Sequence, residues 1–168
     1  MNSAALLADA FGRIREIVHR TVTGLTPEEL AVRLDEEANS IGWLVWHLTR
    51  VQDDHVAGVA GTEQIWTSGG WADRFGLPFD RSETGYGFSP DQVAQVQIES
   101  PQLLLDYGAA VHEKTAGFLR GLSDDDLDRV VDTRWDPPVT LGVRLVSVLS
   151  DDLQHIGQAA YVRGLLTS

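Results

Sequence analysis

Cysteine is absent from this 168-residue chain. Its absence excludes disulfides, thiolate-ligated zinc and a thiol nucleophile of the protein's own. Any sulfur chemistry must be carried in by a small molecule. Lysine is almost missing as well: Lys114 stands alone, and arginine supplies the remaining cations. That bias points to a high-GC bacterial genome. Positive charge is scarce overall, with 13 Lys and Arg against 25 Asp and Glu, a formal net charge of −12. So acidic a chain has no electrostatic footprint for nucleic acid or for an anionic membrane surface. No run approaches the roughly 18 apolar residues of a membrane-spanning helix. No basic leader with an apolar stretch and cleavage site opens the sequence, so the cytoplasm is the expected compartment.

What is present describes a globular protein. Hydrophobic residues make up 43% of the chain and five are Trp, enough to bury a core without staples. The length suits one domain covering residues 1–168.

The apolar spacing is helical almost throughout. Residues 2–22 carry a stripe of Leu6, Leu7, Ala10, Ile14, Ile17, Val18 and Thr21. Thr26-Pro27-Glu28-Glu29 reads as a capped start for a short helix ending near Leu34. Ser40 caps a second long helix running to about Val59. Residues 60–88 hold six Gly together with Trp66, Trp71, Phe75, Phe79, Tyr86 and Phe88, the mark of an ordered or functional connection. Ser89-Pro90-Asp91-Gln92 opens another short helix. Ser100-Pro101 begins the third long helix, with Leu103, Leu104, Tyr107, Val111 and Phe118 as its stripe. Ser123 caps a short helix, residues 128–139 read as irregular or extended, and Thr140 caps a fourth long helix to about Leu166. A weak repeat, GLTPEEL against GLSDDDL, follows the first and third long helices. The expected fold is an all-α four-helix bundle. The long second connection can cross its length, which predicts an up-down-down-up order.

Five His are present, and His155 is the informative one. It lies four residues after Asp151, so both side chains leave one helix face about a turn apart. Such a pair can grip one ion or form a helix-surface ion pair. His47 sits in the mostly apolar stripe of Trp43, Leu44 and Val51, which also carries Asp54 and Gly58. A buried imidazole there needs partners on both ring nitrogens, whether hydrogen-bond partners or a metal. Asp54 reads either as a solvated helix end or as a contact to ligand or substrate. His55 lies about 80° round the helix from His47, and His19 and His112 read as surface or packed residues. Arg144 falls on the stripe of Asp151 and His155, where it could anchor a carboxylate or pair with a neighbouring acid. Asp152, at i,i+3 from His155, competes with Asp151 or faces the core edge.

The segments SIGWLVWHLTRVQDDHV and DDLQHIGQAAYVRG resemble the DinB/YfiT-like metalloenzyme superfamily. The likeness is greatest to its thiol-dependent branch, that of mycothiol-dependent maleylpyruvate isomerase and related S-transferases. It spans essentially the whole chain. It implies a four-helix bundle holding one divalent metal ion on His47, Asp151 and His155, with open positions for water, thiol or substrate. The family more often has Glu or His where this chain has the shorter Asp151. Zinc suits two imidazoles and a carboxylate, with nickel, iron or manganese as alternatives. The implied activity is activation of a low-molecular-weight thiol such as mycothiol, as a metal-bound thiolate, for transfer to a small electrophile. The partners are then small molecules only, on a monomer or homodimer; Arg144 and Asp54, by their own positions in the helices, are the candidate substrate contacts. Two alternatives stay open: hydrolysis by metal-activated water, and a non-catalytic stress-response or binding module.

Overall fold

The computed structural model describes residues 1–167. In chain order the elements are α1 (Ser3–Val22), α2 (Pro27–Ala31), α3 (Ile41–Ala60), α4 (Ile65–Ser68), α5 (Trp71–Phe75), α6 (Pro90–Ala94) and α7 (Pro101–Arg120). A 3-10 turn (Asp125–Asp128), two short antiparallel strands, β1 (Val130–Asp132) and β2 (Val139–Thr140), and α8 (Leu141–Leu166) complete the chain. Each long helix starts where a side-chain oxygen accepts from an early backbone N–H: Asn2 from Ala5, Ser40 from Trp43, Ser100 from Gln102 and Thr140 from Val143. Thr26 and Ser89 complete reciprocal capping boxes with Glu29 and Gln92.

Side-chain contacts fix the helix directions. Tyr107 reaches Asp53, and further along both segments Lys114 reaches the Glu63 carbonyl, so α3 and α7 run parallel. Ser3 N–H donates to Asp124 at 3.1 Å, which sets α1 antiparallel to α7. Arg163 donates to the Thr21 and Thr23 carbonyls, which sets α8 parallel to α1. The order is up-down-down-up, as the long crossover predicts.

Burial centres on α3, whose residues 41–53 are all buried. Its long-helix neighbours α7 and α8 cannot bury a helix on every side. The remaining side is closed by the crossover, whose Trp66, Trp71 and Phe75 pack on Trp46 and Tyr107. Tyr86 does not share this role, being 87% exposed, while Phe88 is half-buried against Trp46 and Phe79.

A buried polar network pins the crossover. Arg50, with no exposed surface, donates to the Glu83 carbonyl at 3.2 Å and to Gln64 at 2.7 Å. Asp53 accepts from the backbone of Ile65 and Trp66 and from the Tyr107 hydroxyl.

Three local expectations are corrected. The α1 stripe runs through Ala4, Leu7, Phe11, Ile14 and Val18, leaving Leu6 60% exposed. The seam follows the larger area of Phe11. Helix α2 stops at Ala31, short of Leu34, because Arg33 turns back to donate to the Ala38 carbonyl. The segment at Ser123 closes as a 3-10 turn in which Ser123 and Asp126 satisfy each other.

Candidate metal centre

The most extensive helix interface is that of α3 with the antiparallel α8. It brings His47 opposite Asp151 and His155. One nitrogen or oxygen from each of the three residues lies within 4.8 Å of the others. The imidazole centroids are 4.9 Å apart and their planes are inclined by 73°.

Both rings are held from behind. His47 Nδ1–H donates to the Thr84 carbonyl at 2.6 Å, which fixes the tautomer and leaves Nε2 with its lone pair. His155 Nδ1–H donates to the Gln158 side-chain oxygen at 3.0 Å, leaving Nε2 facing Asp151 at 3.6 Å. Trp43 stacks on His47 with centroids 4.5 Å apart and meets His155 edge-on. Gly85 makes the close approach of the crossover feasible. Its φ is +91°, and a Cβ there would stand 2.9 Å from Trp46 and 3.0 Å from His47 Nδ1.

Titration behaviour follows from these contacts. Burial lowers the His47 pKa, against the raising effect of the Thr84 carbonyl, so the ring is neutral and available as a ligand. The Asp151 carboxylate raises His155. Burial alone would raise Asp151, but His155 and the other two nearby imidazoles pull it down on balance. Asp151 Oδ2 is buried and accepts no hydrogen bond. A carboxylate that faces two imidazoles, with one oxygen 3.6 Å from His155 Nε2 and the other unpartnered, is an incomplete arrangement that a divalent cation would complete. The donor set of two nitrogens and one oxygen fits such an ion.

The sequence model of the Mycothiol-S-transferase family matches residues 6–168. This chain belongs to that family. A crystal structure of a conserved protein from Enterococcus faecalis superposes with a TM-score of 0.90 at 32% identity, covering 97% of this chain and 96% of that one. No curated protein matches. Membership ties the chain to thiol chemistry, and the three facing side chains could hold a metal ion.

The other residues singled out from the sequence have distinct fates in this member of the family. A cavity of about 210 Å³ opens beside the three residues, lined among others by Asp54, His55, Thr84, Tyr86 and Asp151. Asp54 is a built part of that wall and no solvated helix end: its Oδ1 accepts from Gln64 at 2.6 Å. His55 stands on the same wall outside the triad, its pKa lowered by burial and then by Arg144. Arg144 donates to Asp132 at 2.9 Å and so pairs with an acid. Asp152 points away into the core, fully buried, with both oxygens unpartnered and its pKa raised well above the usual carboxylate range by that burial. His112 and His19 border a separate pocket of about 70 Å³ between α1, α3 and α7. No helix among the described residues is long and apolar enough to cross a membrane.

The sequence reading missed Arg50, Asp53 and Gln64. Arg50 and Asp53 are spaced i,i+3, which reads as an ordinary surface pair. Only the depth of α3 turns them into an anchor. Thr84 was invisible because it contributes a backbone carbonyl. Gln158 could have been found, since it lies one turn after His155 at the spacing of a ring-orienting partner.

Proposed function

We propose that the chain is a divalent-metal-dependent S-transferase that uses a small thiol, mycothiol or a close analogue, against a small electrophile. One observation carries the reading: two imidazoles oriented from behind and one carboxylate converge where a cavity opens. Three protein donors leave positions free, which suits a catalytic site better than a structural one. A divalent ion in this donor set, zinc in the first instance, supplies the charge that lowers the pKa of a thiol and makes it nucleophilic at neutral pH.

The chain's own residues do the rest. His47, Asp151 and His155 hold the ion. Thr84 and Gln158 fix the ring tautomers, and Trp43 walls the site from water. His55, kept neutral by burial, faces the cavity and can accept the proton that a thiol releases. Asp54 shares that wall as a substrate contact.

His55 on the cavity wall, with Asp54 beside it, also suits a second reading, hydrolysis by an activated water. Turnover of a simple electrophile separates the two, run in parallel with mycothiol, bacillithiol, glutathione and no thiol. The transferase reading expects turnover with one thiol and none without. Equal rates in all four reactions would discard it. Cobalt-substituted protein should also gain an intense near-ultraviolet charge-transfer band when the active thiol is added.

A further inference from the structure

A second, wider cleft of about 530 Å³ adjoins the metal-side cavity, and Asp54 and His55 line both. Its far side carries three guanidiniums: Arg129, Arg134 and Arg144. In a chain of formal charge −12 this is a marked local inversion. Only two carboxylates, Asp54 and Asp132, line the same cleft. Asp54 is already engaged by the Gln64 amide. Asp132 is shared, gripped by Arg134 through two nitrogens at 3.0 and 2.8 Å and by Arg144 at 2.9 Å. The Arg129 side chain forms no ion pair among the described residues, though its charge reaches Asp126; its one side-chain hydrogen bond runs to the Val59 carbonyl at 3.3 Å. Positive charge therefore exceeds negative charge here, with guanidinium N–H groups left over. Gly58 of α3 lines the cleft, and a Cβ built there meets nothing within 4 Å, so there is room for a side chain at this position.

We propose that this cleft binds a carboxylate of the molecule that reacts at the metal centre. A guanidinium presents paired donors in the geometry of a carboxylate. Val130 and Val131 supply apolar surface beside the charges. Asp54 and His55 border both spaces, so a molecule seated in the cleft lies next to the cavity beside the triad. The inference rests on the proposed S-transferase reading and assigns its substrate class: one reactant, thiol or electrophile, is an organic acid.

The test is a titration of the full-length protein with succinate, followed by heteronuclear NMR, on zinc-loaded and chelator-treated samples in parallel. Saturable shifts are expected at the amides of Val130–Asp132 and at the side-chain N–H signals of Arg129 and Arg144, with and without zinc. Gly58→Leu places a side chain in the cleft and favours the helix, while Arg129→Gln removes an exposed cation. Each should weaken succinate by about tenfold, the size of one lost charge-assisted hydrogen bond. Absent shifts, shifts unaltered in both variants, or shifts confined to His47 and His155 and dependent on zinc would overturn the proposal. Two matched pairs then locate the carboxylate: N-acetylcysteine against its amide, and maleate against its dimethyl ester. Wild-type preference for the acid in either pair, lost in Gly58→Leu, supports the cleft. Preference in neither pair refutes it. Because the cleft is read without metal or turnover, its failure is separable from failure of the thiol reading.

Discussion

Asp151 and Asp152 are neighbours in sequence and opposites in environment. Asp151 has one oxygen 3.6 Å from His155 Nε2 and the other buried without a hydrogen bond, whereas Asp152 is sealed in the core with no partner at all. Asp151→Ala should abolish most metal uptake in a calorimetric titration, and Asp151→Glu should retain it. Asp152→Ala should leave uptake intact and raise stability by about 1 kcal/mol, since an unsatisfied buried polar group is removed. Chemical denaturation of the metal-free protein measures the second effect. A loss of metal in Asp152→Ala would mean that the liganding carboxylate had been assigned one residue out. Asp132 sets a pH dependence. Hydrogen bonds from Arg134, with Arg144 beside it, hold its carboxyl well below the usual range. Its folded pKa therefore lies under the unfolded value of about 3.9. The stabilisation is complete above that value and is lost as pH falls toward the folded pKa. Asp132→Asn should lower stability at neutral pH and flatten its decline below about pH 5.

At the scale of elements, the crossover between α3 and α7 is part of the site. It delivers the Thr84 carbonyl to His47, and Arg50 holds the preceding residue. Gly85→Ala should strain the left-handed turn and push Thr84 off the ring. Loss of such an orienting partner costs roughly 10–100-fold in metal affinity, measurable by competition with a chelator, though neither residue is a ligand. Tyr107→Phe removes one of three bonds to Asp53 and should cost only about 1 kcal/mol. Asp53→Ala removes the carboxylate that lies 4.0 Å from the buried Arg50 guanidinium and leaves the Ile65 and Trp66 N–H groups unmet, and should cost about 3–5 kcal/mol. Thermal melts of the two variants should rank them in that order. Helix starts were legible in the sequence because caps are local: Ser40, Ser100 and Thr140 each declare themselves within three residues. The direction of α7 was legible from crossover length alone. The seam of α1 was not, because Leu6 and Leu7 are equally apolar and only tertiary packing chooses between them. The triad was reached from the Asp151–His155 spacing and the resemblance together. The arginine cleft could not be, since Arg129 and Arg134 lie on a hairpin whose approach to α3 no helical period encodes.

For the molecule as a whole, a ligand that binds only the folded state raises its stability. The gain is about 2.7 kcal/mol at a hundred times the dissociation constant. Zinc-loaded protein should therefore melt higher than chelated protein. The core formed by α1, α3, α7 and α8 does not include the triad's open side, so the chelated protein should still unfold cooperatively, with helical circular dichroism intact beforehand. Unfolding on chelation alone would make the ion structural. Stoichiometry close to one ion per chain, with two nitrogen scatterers in X-ray absorption, completes the test.

The uneven way in which the triad is held also bears on how quickly an ion comes and goes. Thr84 and Gln158 brace the two imidazoles before any ion arrives, but nothing braces Asp151 Oδ2. For an incoming ion the rings would offer a standing two-nitrogen seat, and the carboxylate would be the least restrained of the three donors. Exchange should be limited by the swing of one short side chain rather than by reordering of the helices. Asp151→Asn should therefore speed zinc release in stopped-flow chelator chases, while leaving the rate of capture nearly unchanged.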